Sequence, residues 1–110
     1  MSYKVIALPE FRREVKKLAK KYRSLKTELS VLFDELTTNP TLGTPLDNDV
    51  YKIRLAITSK GKGKKGGARV ITYVKIDNTT VLLLSIYNKG EKDTISDKEI
   101  QELLKSILNN

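Results

Sequence analysis

Arg69-Val70-Ile71-Thr72-Tyr73-Val74-Lys75-Ile76-Asp77-Asn78-Thr79-Thr80-Val81-Leu82-Leu83-Leu84-Ser85-Ile86-Tyr87-Asn88-Lys89 holds two runs rich in β-branched and aromatic residues, parted by the turn-forming trio Asp77, Asn78 and Thr79. A connection this short joins antiparallel neighbours, because a parallel crossover needs a dozen or more residues. Upstream, Tyr51–Thr58 is a third strand-like segment. The three segments, Tyr51–Thr58, Arg69–Ile76 and Thr80–Lys89, therefore predict an antiparallel meander.

The first two of these segments are separated by Lys60-Gly61-Lys62-Gly63-Lys64-Lys65-Gly66-Gly67-Ala68, and no acidic residue occurs between Tyr51 and Ile76. A glycine-punctuated loop this basic is an electrostatic seat for a polyanion. Lysine-rich loops are also commonly plain solvated turns. Gly66 and Gly67, for their part, fit a bulge or a turn that needs positive φ.

Working toward the N-terminus, Thr37–Asp49 has the Pro, Gly, Asp and Asn content of a connecting loop. Before it, Leu25, Leu29, Leu32, Phe33 and Leu36 make one apolar stripe at helical spacing, and Phe11, Val15, Leu18 and Tyr22 make another. Arg12, Arg13, Lys16, Lys17, Lys20 and Lys21 fill the other faces of the earlier stripe, as solvated cations of a surface helix do. The pair predicts a helical hairpin, with Ser24 as N-cap of its second arm. Tyr3–Leu8 predicts a first strand, ended by Pro9, whose fixed φ suits the first turn of a helix. At the other end, Ser96-Asp97-Lys98-Glu99 has the form of a capping box, and Ile100, Leu103, Leu104 and Ile107 give the following helix an apolar face. The expected fold is a single α+β domain over residues 1–110 in the order β-α-α-β-β-β-α, with the helical hairpin packed on one face of the sheet.

Because side chains alternate across a strand, the segments can be sorted by face. Ile53 and Leu55 oppose Lys52 and Arg54; Val70, Thr72 and Val74 oppose Arg69, Ile71, Tyr73 and Lys75; Leu82, Leu84 and Ile86 oppose Leu83, Ser85, Tyr87 and Lys89. If the apolar sets face the hairpin, the opposite face gathers Lys52, Arg54, Arg69, Tyr73, Ser85, Tyr87 and Lys89. That face, rimmed by Lys60, Lys62, Lys64 and Lys65, offers cations for phosphate and tyrosines for stacking on unpaired bases, the two things single-stranded RNA uses.

The 110 residues carry a formal net charge of +8, with 39% hydrophobic and 31% charged residues, an ordinary soluble composition with an unusually basic balance. With no cysteine and no histidine, thiol nucleophiles, zinc–sulfur sites and imidazole general bases are excluded. No metal ligand set and no cofactor motif is expected. Met1–Leu8 is too short and polar for a signal peptide, and the longest apolar run, Val81–Leu84, is far below a membrane span, so a cytoplasmic protein without a membrane partner is expected.

At Lys52-Ile53-Arg54-Leu55, at Gly66-Gly67-Ala68-Arg69-Val70-Ile71-Thr72-Tyr73 and at Ser85-Ile86-Tyr87-Asn88-Lys89-Gly90-Glu91-Lys92-Asp93 the chain resembles the RelE/ParE toxin superfamily, and within it the HigB-type branch. The resemblance spans nearly the whole chain. It implies a RelE-like fold and a toxin of a type II toxin–antitoxin system, most often a ribosome-dependent endoribonuclease that cuts mRNA in the A site of the 70S ribosome. It also implies neutralisation by a cognate antitoxin. Other members inhibit DNA gyrase instead, and a non-catalytic RNA-binding protein is a further alternative.

Carried over by position, Lys52 and Arg54 match the family's basic pair before the loop, Arg69 its strand-opening arginine, and Lys89 the place of a second catalytic arginine. The family's C-terminal tyrosine corresponds to a place near Ile95, a departure for which Tyr87 or Asp93 would have to compensate. The resemblance thus implies Lys52, Arg54, Arg69, Tyr87 and Lys89 as the catalytic set. Lys60, Lys62, Lys64, Lys65, Tyr73 and Lys92 are the expected RNA- and ribosome-binding residues. Cleavage by 2′-hydroxyl attack needs a base, stabilisation of phosphorane-like charge and an acid. Lys52 or Lys89, each among other cations, is the candidate base, while Arg54 and Arg69 hold the phosphate, and no metal is required.

Overall fold

A computed structural model describes residues 2–61, 66–75, 79–92 and 94–108. The element order is β1 (Lys4–Ala7), α1 (Pro9–Lys21), α2 (Leu25–Thr38), β2 (Thr44–Pro45), β3 (Val50–Leu55), a 3₁₀ turn (Thr58–Lys60), β4 (Ala68–Lys75), β5 (Thr80–Asn88) and α3 (Asp97–Leu108). The strands form one sheet in the order β1-β5-β4-β3-β2. The expected meander is β3-β4-β5, antiparallel throughout, and β1 adds to it parallel to β5. β2 falls inside the stretch expected to be loop, and pairs Thr44 with Lys52 and Pro45 with Tyr51.

Each helix has a local cause. Pro9 opens α1, and Phe11 and Leu18 are its buried residues, while Lys20 and Lys21 lie in the last turn, where cations suit the helix dipole. α2 buries Leu25, Leu29, Leu32 and Leu36, one stripe at helical spacing. Ser24 stands at the N-cap position of α2, but its backbone is helical and its hydroxyl makes no capping bond; it donates to Glu28 Oε1 instead (3.0 Å). The second capping expectation is met in full. Ser96 Oγ accepts from the Glu99 N–H (3.1 Å) and Glu99 Oε1 accepts from the Ser96 N–H (3.2 Å), two exposed donors satisfied reciprocally.

Two apolar clusters hold the sheet, one on each face. The hairpin side joins Phe11, Leu25, Leu29 and Leu36 to Ile53, Val70, Val81, Leu83 and Ile86. The other side joins Val50, Ile71, Leu82, Leu84 and Tyr87 to Ile95 and Ile100, with Leu103, Leu104 and Ile107 packed against them. The face expected to be an open cationic platform is therefore covered for much of its length by α3.

The strand alternation read from sequence holds in β3 and β4 and fails in β5. Ile71 pairs with Ser85 but Thr72 pairs with Leu83, so Leu84 is an extra residue, a β-bulge. The bulge reverses the phase of the strand's first half. Leu83 joins Ile86 on the hairpin side, and Leu82 and Leu84 join Tyr87 under α3. The expected grouping of Leu82, Leu84 and Ile86 on one face is corrected accordingly. The turn residues Asp77 and Asn78 lie outside the described residues.

Candidate nucleic-acid interface

On the α3 side of the sheet the side chains grade from apolar to cationic. Along β3 the order is Val50, Lys52, Arg54, and along β4 the paired order is Tyr73, Ile71, Arg69. Arg54 pairs with Arg69, and Arg69 pairs with Tyr87, so these residues form one row across three neighbouring strands, with its Tyr87 end packed in the α3-side cluster. Lys52 sits one row in, between Thr44 and Ile71. Like charges directly opposite one another destabilise a strand pair, a cost that a phosphate beside Arg54 and Arg69 reduces.

The members of the row differ in access. Arg54 is exposed, whereas Arg69 is only 5% exposed and its Nη1 donates to the Ala68 carbonyl (3.1 Å). Tyr87 is likewise 5% exposed, its hydroxyl is buried, and that hydroxyl has no hydrogen-bond partner among the described residues. Tyr73 is half-buried against the α3-side cluster. The tyrosines expected as stacking platforms are thus packed side chains. Ile95, near which the family's tyrosine was expected, is core.

Lys89 follows β5 directly, half-buried, with its N–H donating to the Gly67 carbonyl (3.0 Å). Gly67 has no positive φ. It is required by close approach, since a Cβ there would lie 2.1 Å from the Leu55 carbonyl oxygen. Lys92 stands 5.6 Å from the Tyr87 ring centroid and pairs with Glu99 of α3. That pair is the leading cause holding the Glu99 carboxyl below the usual carboxylate range, with hydrogen bonding from the Ser96 backbone second.

Lys60 does not project with the others. Its ammonium donates to Asn88 Oδ1 and lies 5.6 Å from the centroid of the Tyr22 ring, on the hairpin side. Lys62, Lys64, Lys65 and Asp93 lie outside the described residues.

Sequence reasoning passed over three polar residues that the structure makes prominent. Glu14 reaches from α1 to the part of β5 beyond its pairing with β1, accepting from Ser85 Oγ (2.9 Å) and from the Ile86 backbone. Burial is the main cause raising its pKa above the ordinary value. Asn88 and Glu28 anchor the two ends of the 3₁₀ turn region. Glu14's isolation among the cations of α1 and the turn chemistry of Asn88-Lys89-Gly90 were the available signals. Among the described residues no group of three acidic side chains gathers as a metal ligand set would, and no helix is long and apolar enough to cross a membrane.

Comparison with known proteins bears on this arrangement. Residues 10–108 match the family model described as the RelE toxin of the RelE / RelB toxin–antitoxin system. The chain belongs to the RelE toxin family. Among solved structures, the free-state structure of a mutant Escherichia coli toxin RelE superposes with a TM-score of 0.63 at 20% identity, over 97% of this chain and 99% of that one. A chain of the Mycobacterium tuberculosis RelBE2 toxin–antitoxin complex superposes with a TM-score of 0.59 at 22% identity, over 80% of this chain and 99% of that one. Both share the RelE fold, in which α3 and the helical hairpin here enclose the sheet from opposite sides.

Proposed function

We propose that this RelE-family protein is the toxin of a toxin–antitoxin pair and acts as a ribosome-dependent endoribonuclease on mRNA. The observation that carries the reading is the row Arg54–Arg69–Tyr87 across three strands, with Lys52 one row in and Lys89 just past the strand end. Arg54 and Arg69 hold the scissile phosphate and offset charge on its oxygens as the 2′-hydroxyl attacks. One of Lys52 and Lys89, as the neutral amine, takes the hydroxyl proton, and the other, as the ammonium, gives a proton to the departing 5′-oxygen as the P–O bond breaks and the 2′,3′-cyclic phosphate closes. Tyr87, enclosed between Arg69's strand and Lys92, supports the row from below and does not stack on a base. A site built on charge and position, without an imidazole to shuttle protons, gains most when its substrate is already held in line, which is what a decoding centre supplies.

The test is induction in cells with primer-extension mapping of mRNA ends, followed by cleavage on purified ribosomes. Wild type gives cuts confined to translated codons. Arg69→Ala, removing one charged donor to the transition state, lowers the cleavage rate roughly 10²–10³-fold. Intact messages with continued protein synthesis would reject the reading, and arrest accompanied by DNA damage would move the protein to the gyrase-inhibiting arm.

The hairpin supplies a surface for the antitoxin. Between α1 and α2 lies a depression of roughly 300 Å³ floored by Phe11, Val15, Leu29 and Phe33 and edged by Arg12 and Lys26. A second depression of roughly 440 Å³, lined by Lys16, Ala19, Lys20, Arg23 and Lys26, continues it. No carboxylate lines either, among the described residues. Nucleic acid would engage the cations and leave the apolar floor unused, whereas an acidic amphipathic helix of the antitoxin satisfies both.

A further inference from the structure

We propose that Asn88 is a positioning residue that locks Lys60 to the turn carrying Lys89 and Lys92, so that these three cations meet the ribosome-bound message as one rigid unit. The inference rests on the ribonuclease reading for its purpose, but the lock itself rests on geometry. Asn88 closes β5, opposite Ala68, and is 4% exposed. All four of its amide's hydrogen-bonding sites are in use. Oδ1 accepts from Lys60 Nζ and from the Gly90 N–H (3.1 Å), while Nδ2 donates to the Tyr22 hydroxyl (3.0 Å) and to Glu91 Oε1 (3.4 Å). Its backbone carbonyl accepts from the N–H groups of Glu91 and Lys92 (both 3.0 Å), which folds the turn over the strand end.

Lys60 is held from its other side as well. Thr58 donates through its N–H (2.6 Å) and its hydroxyl (2.5 Å) to Glu28 Oε2, and Ser59 donates its N–H to Ser24 Oγ (2.9 Å). The 3₁₀ turn that launches the loop is thereby clamped to the start of α2 at one end and to Asn88 at the other. A surface lysine serving only as a phosphate contact has no need of a buried amide acceptor and an aromatic face beneath it. A buried asparagine serving only its own turn would use its acceptor on Gly90 and has no need of a partner 28 residues away.

The test combines hydrogen exchange on the purified protein with its affinity for 70S ribosomes, in wild type, Asn88→Ala, Asn88→Asp, Lys60→Met and the Asn88→Ala/Lys60→Met double variant. Losing the charge-assisted bond in Asn88→Ala weakens ribosome affinity about tenfold. Lys60→Met does the same, and the double variant is no worse than either, because both act through one contact. Asn88→Asp, which keeps an acceptor for Lys60 and Gly90, restores affinity. Amides of Lys60 and Gly61 lose protection together with those of Gly90, Glu91 and Lys92 in Asn88→Ala. Additive losses in the double variant, or exchange changes confined to the Gly90–Lys92 side, would overturn the lock. Neither readout requires cleavage, so a wild type that binds ribosomes without cutting mRNA would fail the ribonuclease reading and leave the lock standing.

Discussion

Glu14 shows how one carboxylate can trim a sheet. β1 pairs with β5 only as far as Leu83, and past Leu84 Glu14 supplies acceptors to Ser85 and Ile86. Its environment is mixed. Burial and Glu10 raise the pKa, and the bonds from Ser85 and Ile86, with Lys92, lower it, for a net rise. A group that binds its proton more tightly when folded contributes stability that is fully present below the ordinary carboxylate pKa and lost as pH rises through the raised folded value. Glu14→Gln keeps an acceptor for Ser85 without a charge to desolvate, so its stability at neutral pH equals or exceeds wild type and varies less between mildly acidic and neutral pH. Glu14→Ala strands two donors and costs about 1–3 kcal/mol. Urea unfolding of both variants across that pH range checks the pair of outcomes; an Ala variant as stable as wild type would show that water replaces the carboxylate without loss.

Among the elements, the approach of β4 to β3 depends on a missing side chain. Gly67 brings the chain onto β3 so closely that an alanine Cβ would meet the Leu55 carbonyl at 2.1 Å and the Ile57 nitrogen at 3.1 Å. Both obstacles are backbone, which cannot rotate away. Gly67→Ala is expected to cost about 1–3 kcal/mol or more, read from denaturant midpoints, and to displace Lys89, whose N–H is bonded to the Gly67 carbonyl. Gly61→Ala makes a useful contrast, because that residue's obstacle is its φ of 76° and nothing lies within 4 Å of an added Cβ. The Gly-Gly pair was legible in the sequence as a constraint, but the kind of constraint was not: composition cannot distinguish a left-handed turn from a close crossing. The same holds for β5, where nothing in Val81-Leu82-Leu83-Leu84 marks Leu84 as the bulged residue. The run did carry one unread message. Apolar on both alternating sets, it fits a strand covered on both faces, as β5 is.

For the whole molecule, cations gather at two places with different chemistry. At the sheet end, cations stand beside packed tyrosines and reciprocal hydrogen bonds; on the hairpin, they rim an apolar groove. The division predicts separable losses. Reversing Lys16, Lys20 and Lys26 to glutamate together weakens antitoxin binding at least tenfold, measured by titration of the purified pair, and leaves the Arg54–Arg69 row untouched. If the triple variant bound antitoxin normally but lost ribosome affinity, the hairpin cations would belong to ribosomal RNA and the antitoxin would dock elsewhere.

The helices, the meander, the capping box at Ser96 and the cationic character of the loop and strand ends were all set by the sequence itself, because each depends on residues near in the chain: periodicity, turn chemistry and local charge. Which cations share a surface was decided by the tertiary structure. A single bulge turned half of β5 over, α3 closed the face that alternation had left open, and Lys60 folded inward to Asn88 across 28 residues. Those outcomes depend on how elements distant in sequence compete to bury apolar area and to satisfy polar groups, and no local pattern encodes the result of that competition.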